Sequence, residues 1–63
     1  MTKLNIYEQL VNEKRSTEEQ IRLYREELER TTDVTTRDML NASIEFAKGY
    51  WYAIVKTMDM FNK

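Results

Sequence analysis

The chain has no cysteine, no histidine and no proline, and only one glycine, Gly49, among its 63 residues. Each absence removes a class of structure or chemistry. Without cysteine there is no disulfide framework and no thiolate metal site. Without histidine the commonest metal ligand and the commonest general base are both missing. Hydroxyls such as Ser16 and Ser43 therefore lack the usual group that would activate them as nucleophiles. No glycine-rich loop is available to cradle a phosphate. Carboxylates are plentiful, but di-metal helical sites draw on Glu-x-x-His elements, and no loop is built for a Mg2+ ion. The expectation is a non-enzymatic protein with no cofactor, no metal and no small-molecule substrate.

Charge of one sign is lacking too. Ten basic and eleven acidic side chains leave a net charge of −1. The first 32 residues carry that charge and the remainder balances, so neither half is a charged tail. A balanced chain has no electrostatic footprint for nucleic acid and no basic face for a membrane surface. The longest apolar run, Tyr50 to Val55, is far short of the ~20 residues that cross a bilayer. The first residues contain no apolar leader core, so the expected location is the cytoplasm.

What is present is helix-forming sequence. With breakers scarce and a third of the residues charged, long helices are the natural reading. The one clear interruption is Thr31-Thr32-Asp33-Val34-Thr35-Thr36, rich in residues that favour caps and turns over helix interiors. Asp33 is the expected N-cap of a second helix, its carboxylate accepting from the amide of Thr35 or Thr36. Helix 1 then runs over about 3–30, the turn over 31–33, and helix 2 over about 34–62, in a single domain. Two long helices with a short link pack as an antiparallel hairpin. A second break is conceivable at Ser16, where Ser16-Thr17-Glu18-Glu19 has the pattern of a capping box and would give three helices. The alternative is that Ser16 is an ordinary polar residue inside one continuous helix.

Helix 1 carries an apolar stripe at Leu4, Tyr7, Leu10 and Val11, and again at Ile21, Tyr24 and Leu28. The nine polar residues Asn12–Gln20 lie between, and Lys14, Thr17 and Glu18 interrupt the stripe. Its outer face pairs charges at four-residue spacing, Glu18/Arg22, Glu26/Arg30, Arg15/Glu19 and Arg25/Glu29, as a solvated helix surface does.

Helix 2 is more apolar than one partner helix can cover. A first line, Leu40, Ile44, Ala47, Trp51, Ile54, Met58 and Phe61, alternates four-three over three heptads, the spacing of a coiled-coil core. A second line, Met39, Phe46, Tyr50, Ala53, Thr57 and Met60, lies beside it. Together they span about half the helix circumference. A 63-residue domain without covalent staples is marginal, and oligomerisation or docking is the remedy left to it. The expected assembly is a four-helix-bundle homodimer, or docking of the hairpin on a larger protein.

Three local features have two readings each. The run Tyr50-Trp51-Tyr52 points three aromatics in directions about 100° apart. Either Trp51 is core with the tyrosines as flanks, or Tyr50 and Tyr52 belong to a recognition surface. If the chain turns near Thr32–Asp33, Trp51 comes level with Lys14, within reach of a cation–π contact. Gly49 either admits a close backbone approach or is tolerated on an exposed face. Met39, Met58 and Met60 either fill core gaps or supply an adaptable binding surface. The candidate partner-binding residues are Met39, Phe46, Tyr50, Tyr52, Ala53 and Met60.

In outline, a 63-residue hairpin of two long helices resembles the Rop plasmid copy-number regulators, which are dimeric four-helix bundles that bind RNA. The resemblance concerns shape, since no Rop motif aligns with these residues. Three functions follow as expectations. The first is a self-associating protein-binding module that regulates or inhibits a partner protein, of the kind phages and mobile elements encode. The second is an RNA adapter using Lys14, Arg15, Arg22 and Arg25, against which the interleaved glutamates count. The third is a structural subunit of a larger assembly.

Overall fold

The computed structural model describes residues 3–62, with side chains from Asn5 onward; Leu4, counted in the stripe above, lies outside the described side chains. Two helices, α1 (Lys3–Arg30) and α2 (Val34–Phe61), make up the fold, and there is no strand among the described residues. Helix α1 passes through Ser16 without a break. The capping pattern there goes unused, because a helix start would sacrifice backbone hydrogen bonds that continuous helix keeps. Thr17 instead turns its hydroxyl back to the Glu13 carbonyl at 2.8 Å.

The turn is held by side chains at its α2 end, the N-cap Asp33 and the first turn of α2. Asp33 has an extended backbone (φ −72°, ψ 122°), and its carboxylate accepts from the Thr36 amide at 2.9 Å and the Thr36 hydroxyl at 2.7 Å. This is the expected N-cap, with Thr36 rather than Thr35 as the donor. Arg37, one residue on, donates from one guanidinium nitrogen to the carbonyls of Leu28 at 2.7 Å and Thr31 at 3.0 Å. Carbonyls at a helix C-terminus have no intrahelical donor, so Arg37 closes the end of α1 from the start of α2. At the far end of α2, the Asn62 amide donates to the Asp59 carbonyl at 3.1 Å.

The helices run antiparallel, and Tyr7 meets Phe61 edge-on at the open end, with ring centroids 6.4 Å apart. The first line of α2 faces α1, as the heptad spacing indicates. Ile44, Ala47 and Ile54 are only 4–6% exposed, while Leu40, Trp51, Met58 and Phe61 are half-buried around them. From α1 the facing positions are Tyr7, Leu10, Lys14, Thr17, Ile21, Tyr24 and Leu28, an unbroken four-three series. The polar stretch between the two halves of the stripe therefore does not leave the interface. Thr17 is buried, its hydroxyl already satisfied. Lys14 is half-buried, with its ammonium 5.7 Å from the Trp51 ring centroid, as the level of the two residues implied.

The result is a rod of 46 × 15 × 14 Å. Its radius of gyration is 14.6 Å, against about 11 Å for a compact globule of this length. Two helices bury one stripe each, and no large side chain among the described residues is completely enclosed.

Candidate partner-binding face

Helix geometry places the second line of α2 about a quarter-turn from the first, so α1 cannot cover both. Phe46 is 82% exposed, Met60 75% and Met39 67%, with Ala53 and Thr57 also open between them. Met39, Phe46, Ala53 and Met60 fall at strict seven-residue spacing. They form one stripe along the rod, and no charged residue interrupts it. Single exposed apolar residues are ordinary on a protein surface, but a contiguous apolar stripe marks an interaction site.

Tyr50 sits where this stripe meets α1. It is 47% exposed, and its hydroxyl donates to the Glu13 carboxylate across the hairpin. That bond, with some desolvation, pushes the phenol above its ordinary pKa. The ring is thereby fixed as one wall of a shallow groove of about 310 Å3, lined by Thr17, Gln20, Tyr24, Ala42, Phe46 and Tyr50. Of the three methionines among the described residues, Met39 and Met60 are exposed and Met58 is half-buried against α1.

Tyr52 lies apart from the other five candidates. It is exposed on the opposite edge of α2 and packs edge-on against Trp51, with centroids 5.3 Å apart. There it borders a wider, open groove of about 890 Å3 that includes Ile21, Arg22, Arg25, Glu26 and Trp51. Trp51 belongs to the helix–helix interface. Its indole N–H donates to the Glu18 carboxylate at 2.9 Å, while Lys14 pairs with the same carboxylate at 3.2 Å. The indole hydrogen bond and then Lys14 hold the Glu18 carboxyl below its usual value.

The ion pairs differ from the sequence pairing. Glu18 is engaged by Trp51 and Lys14, so Arg22 instead bridges Glu19 and Glu26, the latter at 2.6 Å. Lys48 reaches Glu45 at 3.5 Å on α2. No group of three or more potential ligands for a metal ion occurs among the described residues, and no helix among them is long and apolar enough to cross a membrane.

Gly49 has open space around it: a Cβ built there meets nothing within 4 Å. Its own hairpin thus makes no close approach at this position. Sequence reasoning missed the cross-helix roles of Glu13 and Glu18. Their partners, Tyr50 and Trp51, lie 37 and 33 residues away, and the only available hint was that the heptad series of α1 continues through Lys14 and Thr17.

No protein-family model matches the chain, and neither does any curated protein or any solved structure.

Proposed function

We propose that the protein is a non-enzymatic interaction module that works by applying the second face of α2 to another protein surface, its own copy first, and thereby regulates the partner it occupies. The observation that carries this reading is the uncharged stripe Met39–Phe46–Ala53–Met60, exposed along a rod whose core is already filled by the first line. Large, flexible and aromatic side chains of this kind supply most of the energy at protein interfaces. The face is also continuous with the hairpin interface, so a docked helix would extend an existing layer into a bundle.

The RNA-adapter reading has less support. Of its four cations, Lys14 and Arg22 are already paired with carboxylates, and glutamates interleave with all four along α1. Phosphate binding needs unneutralised cations in a positive field.

The test is the substitution Phe46→Glu, read by light scattering and circular dichroism. The expected result is loss of association with helicity retained, because Phe46 makes little of the core. If the chain unfolds, Phe46 is core and the reading is wrong. A variant that associates as well as the parent protein would overturn it too.

A further inference from the structure

The exposed face of α2 has a property that the docking reading does not require. Its members are Met39, Ala42, Phe46, Gly49, Tyr50, Ala53, Thr57 and Met60, and their spacing reads three-four-three-one-three-four-three. That series is the same in both directions. Reversing the helix about the point between Gly49 and Tyr50 brings Met39 level with Met60, Ala42 with Thr57 and Phe46 with Ala53. The large ring of Phe46 is then matched by a small methyl, twice over by symmetry. A twofold interface needs a surface that complements its own reversed copy, and this face meets that condition. We propose, on the basis of the docking reading above, that the occupant of the face is a second copy of this chain, packed α2 against α2 in antiparallel fashion with the twofold axis at Gly49–Tyr50.

Three further observations support the second copy. Gly49 lies at the crossing point, and the single chain gives no steric reason for glycine there. A mid-helix glycine is unfavourable relative to alanine, and a backbone approaching from outside is what its missing side chain would admit. Shape also fits. The rod exposes 5144 Å2, against roughly 4,300 Å2 for a compact monomer of 7.7 kDa, and a second rod laid along the apolar face would cover part of that surface. Finally, Glu45 and Lys56 are eleven residues apart, three turns, and so share one edge of the face. In the antiparallel pair Glu45 lies about 3 Å along the axis from Lys56 of the second copy, and the reciprocal pair forms by symmetry. Within the hairpin Glu45 is already reached by Lys48 at 3.5 Å, an exposed pair that Lys56 of the second copy would join.

The absence of native cysteine makes the geometry directly testable. Single variants Met39→Cys, Tyr50→Cys and Met60→Cys are purified, checked for helicity, and oxidised, alongside light scattering of the parent protein. The expected mass is twice that of the chain. Tyr50→Cys should link to its own copy. Met39→Cys alone should not, since the two sulfurs would lie about 30 Å apart along the axis; nor should Met60→Cys alone. Their mixture should give a 39–60 disulfide. In the same protein Phe46→Glu should raise the dissociation constant by at least about 30-fold. Self-linking of Met39→Cys, as in a parallel pair, overturns the antiparallel arrangement while leaving the face as the interface. A monomer at hundreds of micromolar overturns the second copy as occupant and leaves the docking reading to a different partner. A dimer indifferent to Phe46→Glu overturns both.

Discussion

Glu18 occupies a position that, by its spacing, reads as a solvated charge, and it has a specific job. Its carboxylate is the acceptor for the indole N–H of the sole tryptophan and the counterion of Lys14, which leans on the same ring. A carboxylate whose folded pKa is depressed contributes stability above its unfolded value, and the contribution fades as pH falls through the folded value. Asp33, held down by the Thr36 hydroxyl and amide, behaves the same way. Acidification below about pH 4.5, the ordinary value for Glu18, should therefore change the fluorescence of Trp51 before helicity is lost. Glu18→Gln should abolish that early step; if the step persists, the Trp51–Glu18 bond is not its origin. Gly49 offers a second residue-scale test. Gly49→Ala should raise the stability of the dilute, dissociated chain by about 0.5–1 kcal/mol and at the same time weaken association, because the added methyl stands at the proposed crossing point. Denaturation and dissociation measured on the same variant separate the two effects, and a gain in both would mean that nothing packs on Gly49.

At the level of the elements, each helix end has a separate device. The start of α2 depends on Asp33, and the end of α1 on Arg37, so the turn is secured from one side only. Asp33→Ala removes the acceptor for both Thr36 bonds and should lower Tm by about 4–8 °C, the usual effect of losing a helix cap in a domain of this size. An unchanged melting curve would show that the turn is fixed by packing instead. Thr17 is the converse case. It is a polar residue in the tightest part of the interface, and its hydroxyl serves only a carbonyl that already belongs to the helix ladder. Such back-bonding slightly weakens a helix. Thr17→Val, which puts a methyl in place of the hydroxyl, should stabilise the hairpin by about 0.5–1 kcal/mol. Urea denaturation decides this; a loss of stability would show that the hydroxyl contributes more than the added methyl.

Much of the element-scale structure was legible beforehand, and the reasons are local. Asp33 caps through the amide of a residue three positions on, and the first line of α2 repeats within a single helix. Both signals are contained in short windows. The stripe of α1 was harder, because Lys14, Thr17 and Glu18 are polar and conceal a heptad series that their spacing preserves.

For the whole molecule, the two faces of α2 should respond differently to mutation. Ile54→Ala empties a position in the first line, and deletions of that kind cost about 2–5 kcal/mol. A single core this small supplies no more than about 3–5 kcal/mol in all, so the variant should be largely unfolded by circular dichroism. Phe46→Glu should leave the hairpin folded and remove association. If both variants unfold, or both stay folded and associated, the division of α2 into a core line and a docking line fails.

By itself the sequence determined that there are two helices, that they are divided at Asp33, and that α2 is apolar over two lines. Periodicity, capping and the scarcity of breakers act over a few residues and can be read there. The heptad spacing also indicates which line faces α1; which groups of α1 meet Tyr50 and Trp51 was a matter for the tertiary structure. So was the separation of Tyr50 from Tyr52, the first tied to Glu13 beside the open stripe and the second turned to the opposite edge against Trp51. Those outcomes depend on groups more than thirty residues apart meeting across the hairpin. Periodicity fixes only the angle between residues on one helix; it does not say which carboxylate on the other helix will accept their hydrogen bonds.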